Sequence, residues 1–226
     1  PVIVYGAKEN GYKVTAEQIK AACTDKTKAV IINSPSNPTG MIYTREELQA
    51  IADVVVEKDI YAVADEMYEY LIYGGEEHVS IASLGEEIYK RTITCSGVAK
   101  SYAMTGWRLG YACGPREIIA QMTKIHQFAI MCAPTTSQYA AVSALRNGDE
   151  DVAQMCESYN QRRRYLMHAF KEMGLPCFEP FGAFYVFPCI KEFGMTSDEF
   201  ATRFLQEYKV AAVPGTAFGD SGEGFL

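Results

Sequence analysis

KAVIINSPSNPTGMIYTREELQAIADVVVEKDIYAVADEMY, residues 28–68, decides the fold. It opens on one apolar run of strand length, residues 28–33, and closes on a second, residues 60–64. Between them, Thr44 followed three residues later by Glu47 is a capping box, the signature of a helix start. Leu48, Ile51, Ala52 and Val55 then fall on one face at helical spacing. Apolar strands alternating with an amphipathic helix predict a parallel sheet covered on both faces.

The pattern continues outward. TITCS (92–96) and LGYAC (109–113) read as further strands, and PVIVY at the start of the chain reads as another. Two more capping boxes, Thr15 with Gln18 and Thr196 with Glu199, open helices. From Asp149 to Met173 a long helix carries Val152, Met155, Tyr159, Leu166, Phe170 and Met173 along one stripe, and Gly174 and Pro176 end it. AFYVF (183–187), a helix from Thr196 and VAAV (210–213) follow with a different spacing. The expected fold class is α/β: a mainly parallel sheet flanked by helices, residues 1–162, plus part of a small α+β domain, residues 163–226.

Charge and composition exclude several functions. With 21 basic against 28 acidic side chains and no basic run, neither nucleic acid nor an anionic membrane is an expected partner. A chain 48% hydrophobic and 22% charged is not a disordered one. No apolar stretch approaches the roughly 18 residues of a membrane span. Seven scattered cysteines without a CxxC pair read as reduced thiols, hence a cytoplasmic location. His78, His126 and His168 show no ligand spacing, so no metal is expected.

In open parallel sheets ligands bind beyond the carboxyl ends of the strands. Past the first strand lies SPSNPTG with Asn37; past the second, Asp65, Glu66 and Tyr68; past the third, SGVAKS with Lys100, and Arg108 eight residues on. An amide, a carboxylate, a phenol, an amine and a guanidinium thus converge on one region. Each has a bland alternative: Asn-Pro-Thr-Gly as a turn, Asp65 as a helix cap, Lys100 as a solvated side chain, Arg108 as a cation–π partner of Trp107. Their joint order suits a cofactor with an electrophilic carbonyl, a basic ring nitrogen and a phosphate. No GxGxxG or GxxxxGK[ST] follows a strand, which disfavours a plain nucleotide-binding domain.

SPSNPTG, DEMY and SGVAKSYAMTGWRLGY together resemble the fold-type I pyridoxal-phosphate aminotransferases of class I/II, most nearly the bacterial aspartate/aromatic branch, over essentially the whole chain. The resemblance implies pyridoxal 5'-phosphate as cofactor, an amino acid and a 2-oxo acid as substrates, and a homodimer. It implies that Lys100 bonds the cofactor and moves the substrate proton. Asp65 would face the ring nitrogen, Tyr68 and Asn37 the phenolic oxygen, and Arg108 the phosphate. Many relatives carry a hydroxyl residue three positions before the lysine; here that position is Gly97, and Ser96 beside it is either a phosphate ligand or a strand-end turn residue. Tyr185, within GAFYVFP, lies in a substrate-facing segment by the same resemblance, and core packing explains it equally well.

The chain opens on Pro1 and breaks off at Gly-Phe-Leu inside an apparent element, so it is expected to be an internal segment of a longer protein. The resemblance puts a phosphate-holding turn and a stacking aromatic upstream and a carboxylate-binding arginine downstream. The segment alone is therefore expected to be inactive. Two other readings stay open: a different reaction on the same scaffold, such as a C–S lyase, and the effector-binding half of a transcription regulator.

Overall fold

The computed structural model describes residues 1–226. Its centre is a four-stranded sheet in sequential order: β1 (Ala29–Asn33), β2 (Tyr61–Asp65), β3 (Thr92–Gly97) and β4 (Gly110–Cys113). β1, β2 and β3 are parallel, with Asn33 beside Asp65 and Asp65 beside Cys95, so the strand ends that carry the polar groups are aligned. β4 departs from the expected parallel order. It runs antiparallel to β3, Gly97 opposite Gly110, because the loop over 98–109 that joins them carries one 3-10 turn and no crossover α-helix to bring the chain back to the other end of the sheet.

Three helices begin where the capping boxes predict. In α1 (Ala16–Ala22), α2 (Arg45–Glu57) and α7 (Ser197–Tyr208), the threonine hydroxyl accepts the N3 amide while the N3 side chain accepts the threonine amide. Each box satisfies two donors that a helix start leaves unpaired and stabilises its helix by about 1 kcal/mol. α2 turns Leu48, Ile51, Ala52 and Val55 onto Ile32, Ala62 and Ala64 of the sheet, with Ile81 and Ile88 of the α3 (Glu86–Tyr89) region closing the core. The opposite face is covered at Ile93 but open at Ile31, which is 77% exposed.

Beyond β4 lie α4 (Arg116–Ala129), α5 (Thr135–Asn147) and the 24-residue α6 (Asp149–Glu172). The long helix forms as expected and ends before Gly174, which takes a left-handed φ of 69°. Only Val152 of its stripe is fully buried. PVIVY, AFYVF and VAAV form no strands. Their apolar composition suits a sheet, but a strand exists only with a neighbour in register, and none of the three has one; the bridges of Gly182 with Ile72 and of Pro188 with Cys177 only flank AFYVF.

Segment 180–185 instead bonds back to the first half. Gly40 O accepts from Phe181 N and Gly182 N at 2.9 Å each, Phe181 O accepts from Tyr73 N at 2.8 Å, and Ala183 N donates to Leu71 O at 2.9 Å. Arg163 of α6 braces this join: it donates to Glu179 at 2.8 Å and to Pro180 O at 3.2 Å, and stacks over Tyr73 and Phe181.

Candidate active site

The site is built past the carboxyl ends of β1, β2 and β3. Asn33 ends β1, and its side chain is a two-way bridge. Its amide donates to Asp65 O at 3.1 Å, and its carbonyl accepts from Asn37 N at 2.8 Å. The loop that carries Asn37 is thereby tied to the strand that carries Asp65. Two cis peptide bonds, Ser34–Pro35 and Asn37–Pro38, shape that loop.

Asp65 accepts from Met67 N at 3.2 Å through one oxygen; its other oxygen takes no bond from the protein. The short turn after β2 buries Tyr68, whose hydroxyl lies 2.7 Å from that of Tyr185. Burial, first, and then Tyr185 push the Tyr68 phenol far above its ordinary range; the Asp65 charge adds to this, and the Asn37 side chain opposes it. Lys100 follows β3. It forms no ion pair, and its ammonium stands 5.7 Å from the ring centres of both Tyr68 and Phe184. Phe184 is itself fixed by Tyr159 of α6, stacked at 5.3 Å.

Asn37, Asp65, Tyr68 and Lys100 are thus brought to one place. Arg108 lies in the β3–β4 connection, exposed, at a left-handed φ of 53°; its guanidinium donates to Thr105 O at 2.9 Å and bonds none of these four. Ser96 is not brought in either. Cys95 pairs with Asp65, so the next residue of the strand faces the other side of the sheet. There the Ser96 hydroxyl donates to Glu69 at 2.6 Å. Gly97 also has a physical reason. A Cβ there would lie 2.9 Å from Gly110 Cα and 3.1 Å from Leu109 O, so no hydroxyl side chain fits against β4.

Sequence reasoning missed Asn33, a strand-terminal asparagine legible only as part of the turn. It singled out Tyr185 but not its pairing with Tyr68, 117 residues away. His78, read as isolated, bonds Glu66 at 3.1 Å; Glu66, Glu69 and His78 offer ligand atoms within 4.8 Å of one another. Both carboxylates are already engaged, Glu66 by Ser80 and Glu69 by Ser96.

An α/β sheet that gathers an unpaired amine, a carboxylate, a phenol and an amide at its strand ends has the form of a small-molecule site of an α/β enzyme class. The family model Aminotransferase class I and II matches residues 1–226. An aspartate aminotransferase of Pyrococcus abyssi is 46% identical over all of this chain and 58% of its own length. The crystal structure of an aromatic aminotransferase from Pyrococcus horikoshii superposes with a TM-score of 0.95 at 44% identity, over 100% of this chain and 61% of that one. An aspartate aminotransferase from Thermus thermophilus with maleate gives a TM-score of 0.93 at 39% identity, over 99% of this chain and 58% of that one. The chain belongs to the class I and II aminotransferases. It spans about 58% of the length of the curated relatives it matches.

Proposed function

We propose that the protein carrying this chain is a pyridoxal-phosphate-dependent aminotransferase that moves an amino group between an amino acid, aspartate or a related one, and a 2-oxo acid. The observation that carries the reading is Lys100: an amine without a carboxylate partner, set against Tyr68 and Phe184, with Asp65 and Asn37 facing the same Tyr68. The relatives named aspartate and aromatic aminotransferases supply the substrate class.

The donor set fits the cofactor. Lys100 has an amine free to bond it, Asp65 has a free oxygen for a ring N–H, and Tyr68 and Asn37 have a hydroxyl and an amide for its phenolic oxygen. When bound, pyridoxal phosphate supplies a ring that accepts the electron pair left on the amino acid's α-carbon. Asp65, as a carboxylate, holds the proton on the ring nitrogen. Tyr68, kept protonated by its burial, donates rather than ionises. Lys100, whose amine stands over the Tyr68 ring, would take the proton from the substrate α-carbon and hold it for return. Arg108 supplies a cation without an acidic partner, suited to the phosphate. Ser96, committed to Glu69, is left out of the ligand set.

Residues 1–162 then form part of the cofactor-binding domain and 163–226 part of a smaller one. The separate network of Ser197 with Glu223 and Gly224, and of Cys189 with Phe225, supports that division. A homodimer accords with the exposed Phe128, Ile130 and Met131, and a cytoplasmic location with seven unpaired thiols. No helix is long and apolar enough to cross a membrane.

The test is chemical. Borohydride reduction of the cofactor-loaded protein, followed by peptide mapping, should place the label on Lys100, and aspartate with 2-oxoglutarate should yield oxaloacetate and glutamate. Label on Lys90 or Lys124, or no amino transfer with any amino-acid donor, would overturn the reading.

A further inference from the structure

The hydroxyls of Tyr68 and Tyr185 are 2.7 Å apart, and the two rings meet edge-on at 5.8 Å. Tyr185 is held in this pose by Phe184, whose ring centre is 4.8 Å away, and Phe184 by Tyr159. No other side chain hydrogen-bonds the Tyr185 hydroxyl. The polar groups that face Tyr68 are Lys100, Asp65, Asn37 and Tyr185, and Phe184 packs edge-on against its ring at 5.4 Å.

A phenol donates one proton and accepts two, so only one hydroxyl of the pair donates to the other. An O–H bond to an anionic oxygen is roughly twice as strong as one to a neutral oxygen. An anionic oxygen on the Lys100 side therefore draws the Tyr68 proton, and Tyr185 becomes the donor to Tyr68. Each bond in such a chain strengthens the next. On the reading given under Proposed function, we propose that Tyr185 is a positioning residue: it donates to Tyr68 and so directs the Tyr68 proton to the phenolic oxygen of the cofactor bound at Lys100.

The test is the visible absorbance of the cofactor-loaded protein followed against pH. The transition reports loss of the proton shared between the Lys100 nitrogen and the phenolic oxygen, and donors to that oxygen lower it. Tyr185→Phe keeps the ring and removes the donor, so the transition should rise by about half a pH unit. In a Tyr68→Phe background the same change should move it by no more than about a tenth of a unit, since the relay is already cut. Fluorotyrosine at position 185, a stronger donor, should lower the transition and guards against a misfolded Phe variant. An unmoved transition would sink the proposal. So would a fall with Tyr185→Phe, which would make Tyr185 the acceptor, or an undiminished shift without the Tyr68 hydroxyl. Failure of the protein to take up cofactor at Lys100 would overturn the functional reading itself, whereas normal uptake with an unmoved transition overturns only the role of Tyr185.

Discussion

Asn33 and Asp65 lie side by side at the ends of β1 and β2, and the Asn33 amide closes the gap between them with a 3.1 Å bond to the Asp65 carbonyl. The same side chain accepts the Asn37 amide at 2.8 Å, so one residue sets the spacing of two site groups. Asn33→Ala removes both bonds and should lower stability by about 1–2 kcal/mol, read as a shift in the urea midpoint. Asn33→Asp keeps the acceptor for Asn37 but places a second charge beside Asp65. It should keep more of the stability than Asn33→Ala while retaining less cofactor on dialysis.

Asp65 uses one oxygen to hold Met67 N, a bond that an asparagine oxygen can also accept. Asp65→Asn should therefore fold normally, with an unchanged far-UV circular dichroism spectrum. On the proposed function it loses the negative charge that would face the ring nitrogen, and kcat/KM should fall by about 10²-fold or more, some 3 kcal/mol of transition-state stabilisation. Near-normal turnover in the folded variant would reduce Asp65 to a turn-forming residue.

Gly40 joins the Asn-Pro-Thr-Gly loop to the segment after α6. Its φ of 68° already disfavours a side chain, and a Cβ there would run into Pro180 Cβ and come within 2.7 Å of Gly182 O. Gly40→Ala should destabilise the protein by about 2–4 kcal/mol from strain and overpacking combined. The check is thermal unfolding, with Gly75→Ala as control: Gly75 shares a positive φ of 82° but has open space around it, so it should show the smaller, purely conformational loss.

Arg163 ties α6 to Glu179 and Pro180 O while lying over two aromatic rings, with its side chain only 9% exposed. Arg163→Ala should cost about 1–3 kcal/mol. Arg163→Lys should recover less than half of that, because a single ammonium cannot both stack and bond two acceptors in one plane. Arg164→Ala, which removes only an exposed arginine 3.9 Å from Glu157, should stay within about 0.5 kcal/mol of the parent. Urea denaturation of the three variants separates these outcomes.

What was legible in the sequence is what closes over a few residues. The capping boxes at Thr15, Thr44 and Thr196 need partners only three positions away, and all three form. The apolar face of α2 repeats every turn and is buried as its spacing dictates. The positions of Asp65 at a strand end, and of Asn37 and Lys100 past two others, follow from strand length, because parallel strands place their carboxyl ends together. The tertiary structure decided whatever depends on a distant neighbour. PVIVY, AFYVF and VAAV have strand composition but no strand partner in register, so composition did not make them strands. The facing of Ser96 was set by the Asp65–Cys95 pairing, and the absence of a side chain at Gly97 by the approach of β4. Tyr185 reaches Tyr68 across 117 residues, and Arg163 of α6 reaches Tyr73 in the loop after β2. A hydrogen bond is local in space but not in the chain, and only folding brings such partners within 3 Å.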